Sequence, residues 1–213
     1  MTCEELKQHT DYSIIEELDH KEIKSLVIVE FRNNRGWKYI AMAYQFIGLM
    51  VFSFFMGYSV VSDLMDGESE HLIWFGFGTL FSLTVLVILH ELIHAAAYLL
   101  IGARHLSFGM QIRKYLFYVL SDKDVLNYNQ FKIVALAPSV VISILTLAAI
   151  VIFYQQPILY FLLPIFGLHS LFCSGDFGLL CFFQNRPNRE ILTFDVKSEG
   201  KTYFYGKEIN LNN

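Results

Sequence analysis

Charge is scarce in this 213-residue chain: Asp, Glu, Lys and Arg make up 17% of it, where ordinary soluble domains carry roughly 25%. Glycine (13) and proline (4) are also few, which excludes collagen-like repeats, low-complexity tracts and disorder. Three cysteines, Cys3, Cys173 and Cys181, are too few and too odd in number for a disulfide framework. Two of them sit in apolar sequence, where they read as small buried hydrophobes. There is no basic excess, because the net charge is −4, so nucleic acid is not expected as a partner. The first 38 residues mix acids and bases and lack the apolar core of a secretory signal, so the N-terminus reads as mature sequence. No internal repeat of the kind found in inverted-repeat transporters is visible.

In their place stand 54% hydrophobic and 16% aromatic residues and a mean hydropathy of +0.43. That balance predicts a membrane protein. A spanning helix needs about 20 apolar residues, and four stretches supply them, at about 39–61, 72–102, 133–154 and 157–183. The predicted fold class is an all-α polytopic membrane protein, four transmembrane helices with small cytoplasmic β-hairpin elements. Its domains read as a cytoplasmic N-terminal segment (1–38), a four-helix transmembrane domain (39–183) and a cytoplasmic tail (184–213).

Short loops rich in Lys and Arg stay in the cytoplasm, and here the sorting is complete. Lys7, Lys21, Lys24, Arg32, Arg35 and Lys38 precede the first stretch, and Arg104, Arg113, Lys114, Lys123 and Lys132 lie between the second and third. The tail holds Arg186, Arg189, Lys197, Lys201 and Lys207, which accounts for all 16 basic residues. The 62–71 loop carries Asp63, Asp66, Glu68 and Glu70 and no base. A multi-pass protein of the cell membrane with both termini cytoplasmic is expected. Residues 106–120 alternate imperfectly and are rich in Phe, Tyr, Ile and Val, as a strand or hairpin would be. Residues 191–196 and 201–205 flank Lys197-Ser198-Glu199-Gly200 and read as two strands about a turn. No cytoplasmic segment is long enough to be a soluble domain by itself.

Ionisable groups inside a span are costly and call for a partner or a purpose. This chain places His90, Glu91 and His94 in the second stretch, and His169 and Asp176 in the fourth. His90-Glu91-Leu92-Ile93-His94 is the pattern H-E-x-x-H, in which residues four apart share one helix face and can bind one zinc ion. Glu91, next to the first ligand, can act as general base on a water that the metal acidifies. With His at 7 of 213 positions and Glu at 12, such a match arises by chance in roughly one chain in a hundred, and its place in an apolar stretch makes chance a poorer account still.

A third protein ligand is required. No Glu lies between Glu91 and Glu190, and a third His six residues after the second would fall at position 100, which is Leu100. Asp122 and Asp124 lie in a polar loop and read as solvated. Asp176 is left as the one acid within a span. Counted along ideal helices, His94 and His90 lie about 12 and 18 Å inside Gly102, and Asp176 about 11 Å inside Phe183, so the three can meet at one level. At helical pitch His169, Cys173 and Asp176 form a polar stripe expected to face the second span. Gly175 and Gly178 allow the backbone to bend there or to approach a neighbour closely. Three roles fit His169: orienting a ligand, donating to the oxyanion of a tetrahedral intermediate, or resting as a satisfied core histidine. Cys173 is an alternative third ligand.

On these residues the chain resembles the intramembrane zinc metalloproteases of the site-2 protease class. It is more closely similar to a bacterial family of zincin peptidases otherwise known only as a domain of unknown function. The likeness covers about 39–205 and is carried by His90-Glu-Leu-Ile-His94 with Ala95–Ala97, by Ala135-Leu136-Ala137-Pro138, and by Ser174-Gly175-Asp176. It implies His90, His94 and Asp176 as metal ligands and Glu91 as catalytic base, and His169 stands beside them as an accessory candidate on its place in the stripe alone. The aspartate setting here is Gly175-Asp176-Phe177, where the site-2 class has Leu-Asp-Gly with an upstream Asn-Pro element, and no PDZ-like module is present. The expected function is a membrane-embedded zinc metallopeptidase with Zn²⁺ as cofactor. Its expected partners are membrane lipid and a peptide or membrane-protein substrate. The alternatives are a non-catalytic metal-binding transporter, sensor or scaffold, and a wholly structural four-helix protein.

Overall fold

A computed structural model of the chain describes residues 1–33, 36–67, 69–111 and 116–209. Arg35, Glu68, Arg113 and Lys114, used above to orient the chain, lie outside the described residues. In chain order the elements are α1 (Cys3–Gln8), β1 (Ser13–Asp19), α2 (Ile23–Asn33), α3 (Trp37–Asp66), α4 (Glu70–Leu83), α5 (Val85–Leu100), β2 (Leu106–Gln111), β3 (Leu116–Ser121), β4 (Leu126–Asn127), α6 (Tyr128–Ile152), α7 (Leu159–Phe172), α8 (Ser174–Gln184), β5 (Arg189–Val196) and β6 (Lys201–Glu208). The protein is mostly helical and divides into two compact units. One is built from Met1–Lys38, His94–Leu136 and Gly175–Asn213, the other from Tyr39–Ile93 and Ala137–Ser174.

The second unit is helical and apolar. Helix α3 runs 30 residues, about 45 Å at 1.5 Å per residue, and exposes Phe46, Met50 and Phe54. Small residues let its neighbours close in. A Cβ on Gly48 of α3 would stand 3.0 Å from the Gly167 carbonyl of α7, and one on Gly78 of α4 would stand 2.2 Å from the Phe161 carbonyl of α7. Backbones this close are typical of packing inside a membrane, where small side chains set helix contacts. Asp63, near the end of α3, accepts from the Leu72 amide (2.8 Å), the His71 amide (3.3 Å) and His71 Nδ1 (2.7 Å). It thereby serves the free amides of the first turn of α4.

Among the described residues, three stretches are long and apolar enough to cross a membrane: α3, α6 and the run Leu159–Gln184 that holds α7 and α8. The pair α4 and α5 passes the same test jointly but is bent by 44°. The apolar stretch expected over 72–102 is therefore two helices. Thr84 leaves helical geometry (φ −122°, ψ −80°), its amide bonding Phe81 O instead of continuing the ladder, and its hydroxyl folds back to Leu80 O at 2.7 Å. Hydropathy averages over such a break, since Thr84 is neither Pro nor Gly.

The first unit holds the β structure. Four antiparallel strands run in the order β1-β6-β5-β4, and β2 and β3 form a separate hairpin. The two expected tail strands are present as β5 and β6, paired as Phe194↔Tyr203 and Leu192↔Tyr205. Gly200 takes the left-handed conformation their turn needs (φ +66°). The expected 106–120 hairpin is also present, its tip lying outside the described residues. Because side chains alternate along a strand, the sheet has two apolar faces. Leu192, Phe194, Val196, Tyr203 and Tyr205 pack with Cys3 and Leu6 of α1. Ile191 and Phe204 pack on the other face with Phe182 and Phe183 of α8 and Leu18. The short N-terminal, middle and tail segments thus assemble one core together, although none could do so singly. The capping box of α1, in which Thr2 Oγ1 accepts from the Glu5 amide and the Thr2 amide donates to Glu5 Oε2, and the placing of Ser13–Asp19 at the sheet edge were not anticipated.

Candidate metal centre

Helix α5 carries the H-E-x-x-H residues. It starts after the Thr84 break and runs through 16 residues with no Pro or Gly, so His90 and His94 fall one turn apart on one face. Ligand atoms of His90, Glu91 and His94 on this helix lie within 4.8 Å of one another, with both imidazoles buried and Glu91 half-buried. Each imidazole is held by its Nδ1. That of His94 lies 3.0 Å from the carbonyl oxygen of Val134 on α6, and that of His90 lies 3.1 Å from His169 Nε2 on α7. An Nδ1–H bound in this way leaves Nε2 with its lone pair, the tautomer a metal ligand needs.

The Val134 carbonyl is available for a reason written in the sequence. In an α-helix it would accept from the amide four residues on, which is Pro138, and proline has no N–H. The Ala135-Leu136-Ala137-Pro138 element therefore frees an acceptor in an apolar helix, and His94 takes it.

Asp176 lies in the first turn of α8, with Oδ1 3.4 Å from His94 Nε2. The helical run ends at Cys173 (φ −70°, ψ 0°) before α8 begins at Ser174. The stripe drawn from His169 through Cys173 to Asp176 crosses this joint, and both of its ends meet α5, His169 at His90 (3.1 Å) and Asp176 at His94 (3.4 Å). His169 and Cys173 stay together, Sγ 3.7 Å from Nε2, while Asp176 meets His94. Of the two glycines beside it, Gly178 marks a close approach, since a Cβ there would be 2.3 Å from Val27 Cγ1 of α2. Gly175 has open space around it and so marks no helix contact.

His169 is 1% exposed. Besides His90 it meets Tyr44 Oη at 3.4 Å through Nδ1, and Tyr44 Oη lies 2.8 Å from Ser143 Oγ. Tyr44 and Ser143 were not singled out from the sequence. The available signal was a polar pair, Tyr44-Gln45, inside a run of apolar residues without charge. Gln45 is likewise engaged, donating to Ser174 Oγ at 2.8 Å.

Asp122 and Asp124, read as solvated, are fasteners instead. Asp124 accepts from the Arg104 amide (2.9 Å), the His105 amide (3.0 Å), His105 Nδ1 (3.0 Å) and the Ser121 hydroxyl. Burial pushes its pKa up, but these donors outweigh burial and hold it down at about 2. Asp122 accepts from the Lys197 amide at 2.8 Å. All three cysteines are buried, as small hydrophobes are.

Zinc fits the donor set. Two ligands at about 2.0–2.2 Å on a tetrahedral ion stand about 3.3–3.5 Å apart, which is the His94 to Asp176 separation of 3.4 Å. Imidazole and carboxylate are zinc donors, and each imidazole has an outer partner. A buried H-E-x-x-H helix whose second histidine meets a carboxylate presents the donors that a zincin type of centre uses. The chain belongs to the family described as "Putative zincin peptidase", whose model matches residues 83–191, the span that contains His90, Glu91, His94, His169 and Asp176. No curated protein and no solved structure matches the chain. Family membership implies zinc and a metallopeptidase, and the apolar helices imply a membrane protein.

Proposed function

We propose that the protein is a membrane-embedded zinc metallopeptidase, akin to the site-2 protease class, that hydrolyses peptide bonds in or near the membrane segments of a substrate protein. His90, His94 and Asp176 hold the zinc and Glu91 is the general base. The observation that carries this reading is His94 itself, which shares a helix face with His90 and Glu91 and meets Asp176 at 3.4 Å. Bound zinc supplies a Lewis acid that polarises a carbonyl and acidifies water. Glu91 takes the proton of the attacking water and returns it to the leaving amine, one carboxylate serving as base and then as acid. The buried imidazoles keep the ligand set from exchanging freely with bulk water. The α4–α5 pair is read as one broken span, which makes four spans, and the sorting of Lys and Arg puts both termini in the cytoplasm.

Metal analysis of the purified chain and turnover of a fluorescent casein in detergent test the reading. One zinc per chain and measurable turnover are expected, with Glu91→Gln keeping zinc and losing turnover, and His90→Ala and Asp176→Ala losing zinc. Turnover that survives Glu91→Gln overturns the mechanism. Stoichiometric zinc without turnover on any membrane-protein substrate favours a metal-binding sensor, scaffold or transporter.

A further inference from the structure

We propose that His169 is a positioning residue for His90, and that Tyr44 and Ser143 complete the chain of hydrogen bonds that orients it. The inference rests on the reading of His90 as a zinc ligand.

The direction of each bond follows from one requirement. If His90 binds through Nε2, its proton sits on Nδ1, so Nδ1–H donates and His169 Nε2, 3.1 Å away, accepts. His169 then carries its own proton on Nδ1 and donates it to Tyr44 Oη at 3.4 Å. The Tyr44 hydroxyl is left to donate to Ser143 Oγ at 2.8 Å. Four residues from α5, α7, α3 and α6 are thus arranged by a single lone pair, and none of the steps needs a charge in an apolar surround. The imidazoles stand with centroids 5.3 Å apart and planes at 58°, an in-plane lone pair meeting an N–H without ring stacking.

This geometry separates the three roles open to His169. An oxyanion donor needs an N–H aimed at substrate, but the nitrogen facing the motif is the acceptor, and the N–H is turned toward Tyr44. A merely satisfied core histidine needs no particular partner, whereas His169 meets the first residue of the motif. A further arrangement competes: ligand atoms of His90, His169 and Cys173 also lie within 4.8 Å of one another, a set that suits a thiolate-bound metal. In the relay Cys173 stays a thiol beside the ring.

The outer partners of zinc-bound histidines set metal affinity about ten- to a hundredfold. Zinc affinity of the full chain in detergent, measured against a chromogenic chelator, should fall by about that factor in His169→Ala. In His169→Gln, where an amide oxygen can accept from His90 Nδ1, most of it should return, and Tyr44→Phe should lose a smaller part. The Co²⁺-substituted chain should show a ligand-field spectrum altered by His169→Ala and no thiolate charge-transfer band. Native affinity in His169→Ala, or a Gln variant no better than Ala, overturns the proposal. So does a charge-transfer band abolished by Cys173→Ser, which makes His169 and Cys173 ligands. A native chain that binds no zinc, or keeps it in Asp176→Ala, fails the underlying reading instead, whatever the His169 variants do.

Discussion

The Val134 carbonyl accepts from His94 Nδ1 at 3.0 Å because Pro138, one turn further along α6, has no amide hydrogen to offer it. A helix-breaking residue in an apolar helix thereby becomes part of the scaffold of a proposed ligand. Tertiary partners commonly re-satisfy such a freed carbonyl in membrane helices, and here the partner is an imidazole that needs orienting.

Replacing that proline tests the link with an unusual sign. Pro138→Ala restores an N–H that competes for the Val134 carbonyl and removes a residue that costs a helix interior about 3 kcal/mol. Thermal stability of the zinc-free chain is expected to hold or rise, while zinc affinity falls several-fold. Unchanged affinity, measured by chelator competition, would mean that the carbonyl serves both donors and that Pro138 has no bearing on the site.

The Asp124 fastener predicts an acid transition. Its folded pKa, about 2, lies below the roughly 3.9 of an unfolded aspartate, so its contribution is full above about pH 4 and lost as pH falls toward 2. Asp124→Asn should lower stability at neutral pH and flatten the dependence in that window. Circular dichroism melts at pH 6, 4 and 2.5 read both effects, and parallel curves for the two chains would refute the assignment.

Gly78 tests the helical unit. An added Cβ would meet the Phe161 carbonyl at 2.2 Å, and because that atom is backbone it cannot rotate aside. Gly78→Ala is expected to destabilise the chain by about 1–3 kcal/mol, the usual cost of overpacking, despite alanine's better helix propensity. Gly76→Ala, with nothing within 4 Å, is the matched control and should be neutral or stabilising.

Part of this architecture was legible without coordinates. Charge scarcity identified the solvent, the H-E-x-x-H spacing put two imidazoles on one helix face, and alternation about Lys197–Gly200 marked the β5–β6 hairpin. Pro138 was visible too, but its consequence was not, because the donor that takes the freed carbonyl lies on another helix. The unbroken stretch over 72–102 failed because it assumed constant helical phase across Thr84, a break with no proline or glycine at its centre.

What the sequence by itself determined are properties summed over near neighbours: hydropathy, charge sorting, turn chemistry and a four-residue period. What only the tertiary structure decided are pairings between distant residues. Asp19 pairs with Lys201 across β1 and β6, Tyr44 reaches His169, and Asp176 meets His94. A hydrogen bond or a ligand contact needs two atoms within about 3.5 Å, and no local pattern specifies which residue a hundred positions away will supply the second.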